Sequence, residues 1–163
     1  MPDIPVTLAT ASSASRNIKL EQLSAEQKDH TGFSHWFRIP HDILNNPAWT
    51  TQGDTVTVTV GNTPARWIMN RCSIDISTAF TTTGTLTLSL GTTASPALSI
   101  AATTATTAGI INGLGTPAAA TVGTSSTGLV VRFNTQASTG APANITAGVA
   151  DVFLQLVDVA DLT

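Results

Sequence analysis

The sequence predicts an all-β domain, a sandwich or barrel, preceded by an arm of different character. Three observations carry that expectation. Thr55-Val56-Thr57-Val58-Thr59-Val60 alternates strictly, which puts the valines on one face of a strand and the threonines on the other. Further apolar runs follow, separated by turns rich in Gly, Pro, Asn and Thr. From Ile76 to Ala150, Arg132 is the only charged residue, so the body of the chain is nearly uncharged.

Nine of the 17 charged residues, all three histidines and two of the three tryptophans precede Thr50. This composition break sets an arm at residues 1–49 and a β-sandwich body at residues 50–163. Within the arm, Ser15 to Lys28 fits a short helix or an extended segment equally, because Ile18, Leu20 and Leu23 form only a weak apolar face. Phe33-Ser34-His35-Trp36-Phe37-Arg38-Ile39-Pro40 brings three large aromatics together, and Asn45-Asn46-Pro47-Ala48-Trp49 adds a turn signal and a fourth. Aromatics at that density are expected to be anchored, since left free they would aggregate.

In the body, Arg66 to Ile76 reads as a strand with Ile68, Cys72, Ile74 and Ile76 on one parity, and Leu86, Leu88 and Leu90 repeat the pattern between Gly84 and Gly91. Leu98 and Ile100 mark a short strand; Leu129 to Phe133 and Val149 to Val159 mark the last two. Ala101 to Gly128 is Ala/Thr/Gly-rich, and Asn112-Gly113 within it favours a tight type I′ hairpin turn.

Composition narrows function. The 163 residues are 42% hydrophobic, enough for one domain with a buried core. Only 10% are charged, while Thr numbers 29 and Ala 22. A hydroxyl-covered surface of this kind is hydrated yet cheap to desolvate against another copy of itself, a composition suited to subunit contacts. A net charge of −3 with seven Lys and Arg leaves no basic face for nucleic acid. The single Cys72 excludes an intrachain disulfide framework. Met1-Pro2-Asp3-Ile4-Pro5 opens no signal peptide, and no window approaches the roughly 18 apolar residues of a membrane span. A soluble protein that leaves a cell, if it does, by a route other than ordinary secretion is the expectation.

Chemistry-bearing constellations are thin. His30, His35 and His41, with Asp29 and Asp42 nearby, match no strong ligand spacing, and solvated or interface roles fit them better than a metal. Interface histidines would make assembly pH-dependent near their usual pKa of about 6.5. Cys72 sits inside a strand pattern and reads as a buried, inert thiol. No Gly-x-Ser-x-Gly elbow, calcium loop or phosphate loop occurs, so neither a catalytic site nor a cofactor is expected. Asp151, Asp158 and Asp161 cluster near the last strand, where solvation or contact with Arg66 or Arg71 is expected. Trp67 reads as core or intersubunit packing, while Trp36 and Trp49 anchor the arm to its own body or a neighbour's.

From Arg66-Trp67-Ile68-Met69-Asn70-Arg71-Cys72 through Thr78-Ala79-Phe80 and Gly84-Thr85 to Leu88-Ser89-Leu90-Gly91, the chain resembles virion proteins of tailed bacteriophages. Asn144-Ile145-Thr146-Ala147-Gly148-Val149-Ala150-Asp151-Val152-Phe153-Leu154 resembles the closing hairpin of that group, and the likeness spans roughly residues 54–159. It implies a jelly-roll-like antiparallel β-sandwich, commonly a trimer, among capsid decoration (cement) proteins and head or tail fibre components. The expectation is therefore a non-enzymatic virion protein, made in the host cytoplasm and carried on the capsid surface. It would self-associate, a trimer being favoured, and dock on the major capsid protein through Phe33, Trp36, Phe37 and Trp49. The alternative is a receptor- or carbohydrate-binding module of a fibre or tail, contacting its target through the Ala101–Gly128 loops. An enzyme is the weakest reading, since it needs a site the sequence does not display.

Overall fold

The computed structural model describes residues 21–44, 55–63, 67–92, 100–114, 127–136 and 145–158. In chain order these form β1 (Glu21–Gln22), α1 (Ala25–Thr31), β2 (His35–Pro40), α2 (His41–Leu44), β3 (Thr55–Thr63), β4 (Trp67–Thr81), β5 (Thr85–Thr92), β6 (Ile100–Thr104), β7 (Gly109–Leu114), β8 (Thr127–Gln136) and β9 (Ala147–Asp158). The protein is mostly β-strand, in antiparallel sheets, with few helices. None of the described helices is long and apolar enough to cross a membrane.

Five strands order β1-β2-β9-β4-β7, and four order β3-β8-β5-β6. The pairings are nested: β5 with β6 innermost, then β4 with β7, β3 with β8, and β2 with β9 outermost. The strands from β2 to β9 thus form one nested antiparallel series. Additional pairings of β4 with β9 and β5 with β8 knit it into two sheets.

Alternation supplies the core. Phe37 and Ile39 of β2, Ile74 and Ile76 of β4, and Val152 and Leu154 of β9 join Val58 of β3, Leu86, Leu88 and Leu90 of β5 and Ile100 of β6 in a single apolar cluster. Each such side chain removed from water contributes about 1.5–3 kcal/mol before entropy is counted. At Gly148 (φ +134) a Cβ would overlap the Phe80 ring, so the close approach of β9 to the end of β4 needs glycine.

The structure refines the sequence reading in four places. Within the expected arm, β2 pairs along its length with β9 and puts Phe37 and Ile39 into the shared core. Asn112-Gly113 does not turn the chain: it lies within β7, opposite Ser73 and Cys72, where lateral pairing overrides the local turn preference. The parity expected for β4 slips, because Asn70 is an extra residue in the ladder between Met69 and Arg71. Met69 is therefore buried where Ile68 was expected to be. The helix starts at Ala25, since Ser24 and Gln27 cap each other's backbone N–H, and it ends at Gly32 in the left-handed region. Glu21–Gln22 is extended, and residues 15–20 lie outside the described residues.

Candidate functional site

The outward parity of the five-stranded sheet gathers most of the chemistry of the described residues. On β2, Phe37 and Ile39 point to the core, which leaves Trp36 and Arg38 on the opposite face. On β9, Asp151, Phe153 and Gln155 share that face, and on β4 Arg71, Ser73 and Asp75 do so. Register then fixes two cross-strand rows: Trp36–Phe153–Ser73–Asn112, and Arg38–Asp151–Asp75–Ile110.

In the first row Trp36 stacks on Phe153, with ring centroids 6.4 Å apart and planes at 19°. Phe33, held between α1 and β2, also packs against Phe153, with ring centroids 5.8 Å apart. The Arg38 guanidinium lies 5.8 Å from the Trp36 ring, and that of Arg71 lies 4.8 Å from the Phe33 ring. Three rings are thus bracketed by two cations, a geometry the ring quadrupoles favour. Farther along the row, the Ser73 hydroxyl donates to Asn112 Oδ1 at 3.1 Å.

In the second row Arg38 grips Asp151 with both arms of its fork, Nε to Oδ1 at 2.7 Å and Nη2 to Oδ2 at 2.8 Å. Asp151 is only 7% exposed, whereas Arg38 is open to solvent. The hydrogen bond to Asp151, with its charge, raises the Arg38 pKa further above its usual value. Asp151 was expected to be solvated or to meet Arg66 or Arg71; it meets Arg38, because the partner strand on that side is β2.

Beneath this face the backbone is locked. Ser34 N–H donates to the Leu154 carbonyl, and its hydroxyl oxygen accepts from Leu156 N–H at 2.8 Å, extending the β2–β9 ladder past His35. His35 is 5% exposed, with Nδ1 at 2.9 Å from the Ser34 hydroxyl; burial, and secondarily the charge of Lys28, push its pKa down. Cys72 is buried beside the Gly113 backbone, and burial pushes its thiol up to about 11, which disfavours a reactive thiolate.

The expected docking residues separate into three fates. Phe37 is packed in the protein's own core at 1% exposure, not on the outer face. Phe33 is buried under Arg71 and beside Phe153, while Trp36 is partly buried on the outer face. Trp49 lies outside the described residues, as does most of the Ala101–Gly128 stretch beyond β7; Trp67 opens β4 opposite Asp158. His30 is exposed on α1, His35 buried on β2 and His41 partly buried at the start of α2. Among the described residues no group of three or more His, Cys, Asp or Glu comes together to hold a metal.

Phe153 and Arg38 were not singled out from the sequence, and Arg71 only as a partner for the C-terminal carboxylates. Parity holds the signal for both of the missed residues: Phe153 breaks the apolar-in alternation of Val152, Leu154 and Leu156, and Arg38 shares the parity of Trp36. Partly exposed aromatic and arginine side chains on a sheet face are the residue types that dominate protein–protein contacts, so the arrangement suits recognition of a surface. Comparison with known proteins returned no matching family model and no matching curated protein or solved structure.

Proposed function

We propose that this chain is a non-enzymatic structural subunit of a virion, a capsid decoration protein that self-associates and docks on the major capsid shell to stabilise it. The observation that carries the reading is the nested pairing of β2 with β9, β3 with β8, β4 with β7 and β5 with β6. Eight strands so arranged, in sheets β2-β9-β4-β7 and β3-β8-β5-β6, are what a jelly-roll sandwich requires, and viral capsid domains use that architecture. The step from fold to role is an analogy. Two features support it independently: the nearly charge-free stretch from Ile76 to Ala150, and the aromatic and arginine face around Trp36.

A second reading is favoured by that same face. Lectin domains share the jelly-roll architecture, and Trp36 stacked on Phe153 beside Arg38 and Asp151 offers a ring with polar groups at its rim, which suits a sugar. It makes the chain the binding module of a fibre or tail.

Sedimentation of the full-length protein with phage heads stripped of their decoration protein separates the two readings. The decoration reading expects saturable binding to heads, weakened at least tenfold by Trp36→Ala in a variant whose circular dichroism is unchanged. Absence of head binding together with retention on immobilised glycans would replace it with the second reading.

A further inference from the structure

We propose that two copies of this chain pair through their β7 edges, antiparallel about a two-fold axis at Asn112, joining two five-stranded sheets into one continuous ten-stranded sheet. The proposal rests on the reading of the chain as a self-associating subunit and names the surface and the partner.

An edge strand presents a row of backbone donors and acceptors that another strand completes, and proteins that stay monomeric blunt such edges with charges, proline, bulges or a covering segment. The β7 edge carries none of the first three. Gly109-Ile110-Ile111-Asn112-Gly113-Leu114 has no charge and no proline, and its register with β4 runs unbroken from Arg71–Leu114 to Ile76–Gly109. Among the described residues β7 pairs only with β4. Ile110 is 67% exposed, the one large apolar side chain so exposed among the described residues.

Self-complementarity selects a second copy as the occupant. Antiparallel pairing about Asn112 sets Ile110 opposite Leu114 of the second copy, Ile111 opposite Gly113, and Asn112 opposite itself, so an apolar residue meets an apolar residue at both ends. Asn112 Oδ1 accepts one bond, from the Ser73 hydroxyl. Its second lone pair and the Nδ2 hydrogens remain for a reciprocal amide pair across the axis. Charge agrees in sense. The row ending at Ile110 carries Asp75, and the row ending at Leu114 carries Arg71. Antiparallel pairing therefore aligns Asp75 of each copy with Arg71 of the other, whereas parallel pairing would align like with like. At three strand spacings, about 14 Å, this sets orientation more than affinity.

The test is the mass of the full-length protein by light scattering coupled to gel filtration at micromolar concentration, with two variants. A dimer is expected, with Ile110→Lys raising its dissociation constant about 30-fold or more. Asn112→Cys reads the register: residues directly opposite across an antiparallel pair lie at about 4.5–5.5 Å between Cα atoms, within disulfide reach. Under mild oxidation it should cross-link to a covalent dimer on a non-reducing gel, whereas Ile110→Cys should not. A monomeric wild-type protein, its edge covered by its own chain, overturns the proposal. A trimer or other oligomer unmoved by Ile110→Lys also overturns it while leaving the structural-subunit reading standing. A β7-paired dimer that fails to bind heads does the reverse.

Discussion

The two edges of the five-stranded sheet are built on opposite principles. At one edge, β1 adds a two-residue strand to β2, Leu23 N–H bonds to the Ser34 carbonyl, and the capped helix α1 follows with Glu26, Lys28 and Asp29. At the other, β7 ends the sheet with six uncharged residues and an exposed isoleucine. Among the described residues, one sheet thus has an edge covered by its own chain and an edge that the proposed pairing would complete. The lesson concerns the residues before 50: their described part, from Glu21 to Leu44, works chiefly as the cover and outer strand of the sheet.

The sharpest way to break that comparison is Phe37→Ala. If β2 is integral, removing a side chain that is 1% exposed within the shared core costs about 3–5 kcal/mol, read by urea denaturation. A loss under about 1 kcal/mol would mean that β2 docks loosely and would restore a separable arm. For the same reason, deletion of residues 1–49 is expected to unfold the protein, since it removes a strand and not a tether.

Acidification tests the covered edge more gently. The folded-state pKa of His35 is lowered by burial and by Lys28, so protons bind the unfolded chain more readily. The stability that depends on neutral His35 is present in full above the unfolded value of about 6.5 and is lost as pH falls through the lowered folded value. Denaturation midpoints at pH 7.5, 6.0 and 5.0 should therefore fall for the wild type, above the range where carboxylates titrate, and His35→Gln should flatten the trend. An unchanged slope in the variant would show that His35 is not the group responsible.

Much of this contrast lay in the sequence in a form easily misread. Phe33, His35, Phe37 and Ile39 alternate with Ser34, Trp36, Arg38 and Pro40, a period-two strand signal, but the concentration of charge and aromatics before residue 50 pointed to an arm. Strands β3, β4, β5, β8 and β9 were legible because alternation and short apolar runs are local properties. The pairing of His35 with Leu154 was not, since it joins positions more than a hundred residues apart with no local marker. The same limit hid the Arg38–Asp151 pair and the Asn70 bulge, both of which depend on which strand lies alongside. Asn112-Gly113 misled in the opposite direction: its strong local turn preference yields to six rungs against β4.

The smallest expected effect bears most directly on the open edge. In dilute solution, where each chain folds alone, Ile110→Lys should change unfolding free energy by no more than about 0.5 kcal/mol, because the side chain is 67% exposed and lies outside the core cluster. A lysine on an edge strand is a common guard against pairing. As protein concentration rises, the two curves should separate, since association stabilises only the form that can pair. Wild-type denaturation midpoints that climb with concentration, beside flat midpoints for Ile110→Lys, would locate the apolar exposure at β7 in the function of the assembly. Identical concentration dependence in both proteins would assign Ile110 no part in it, and the uncharged edge would then have no use in association.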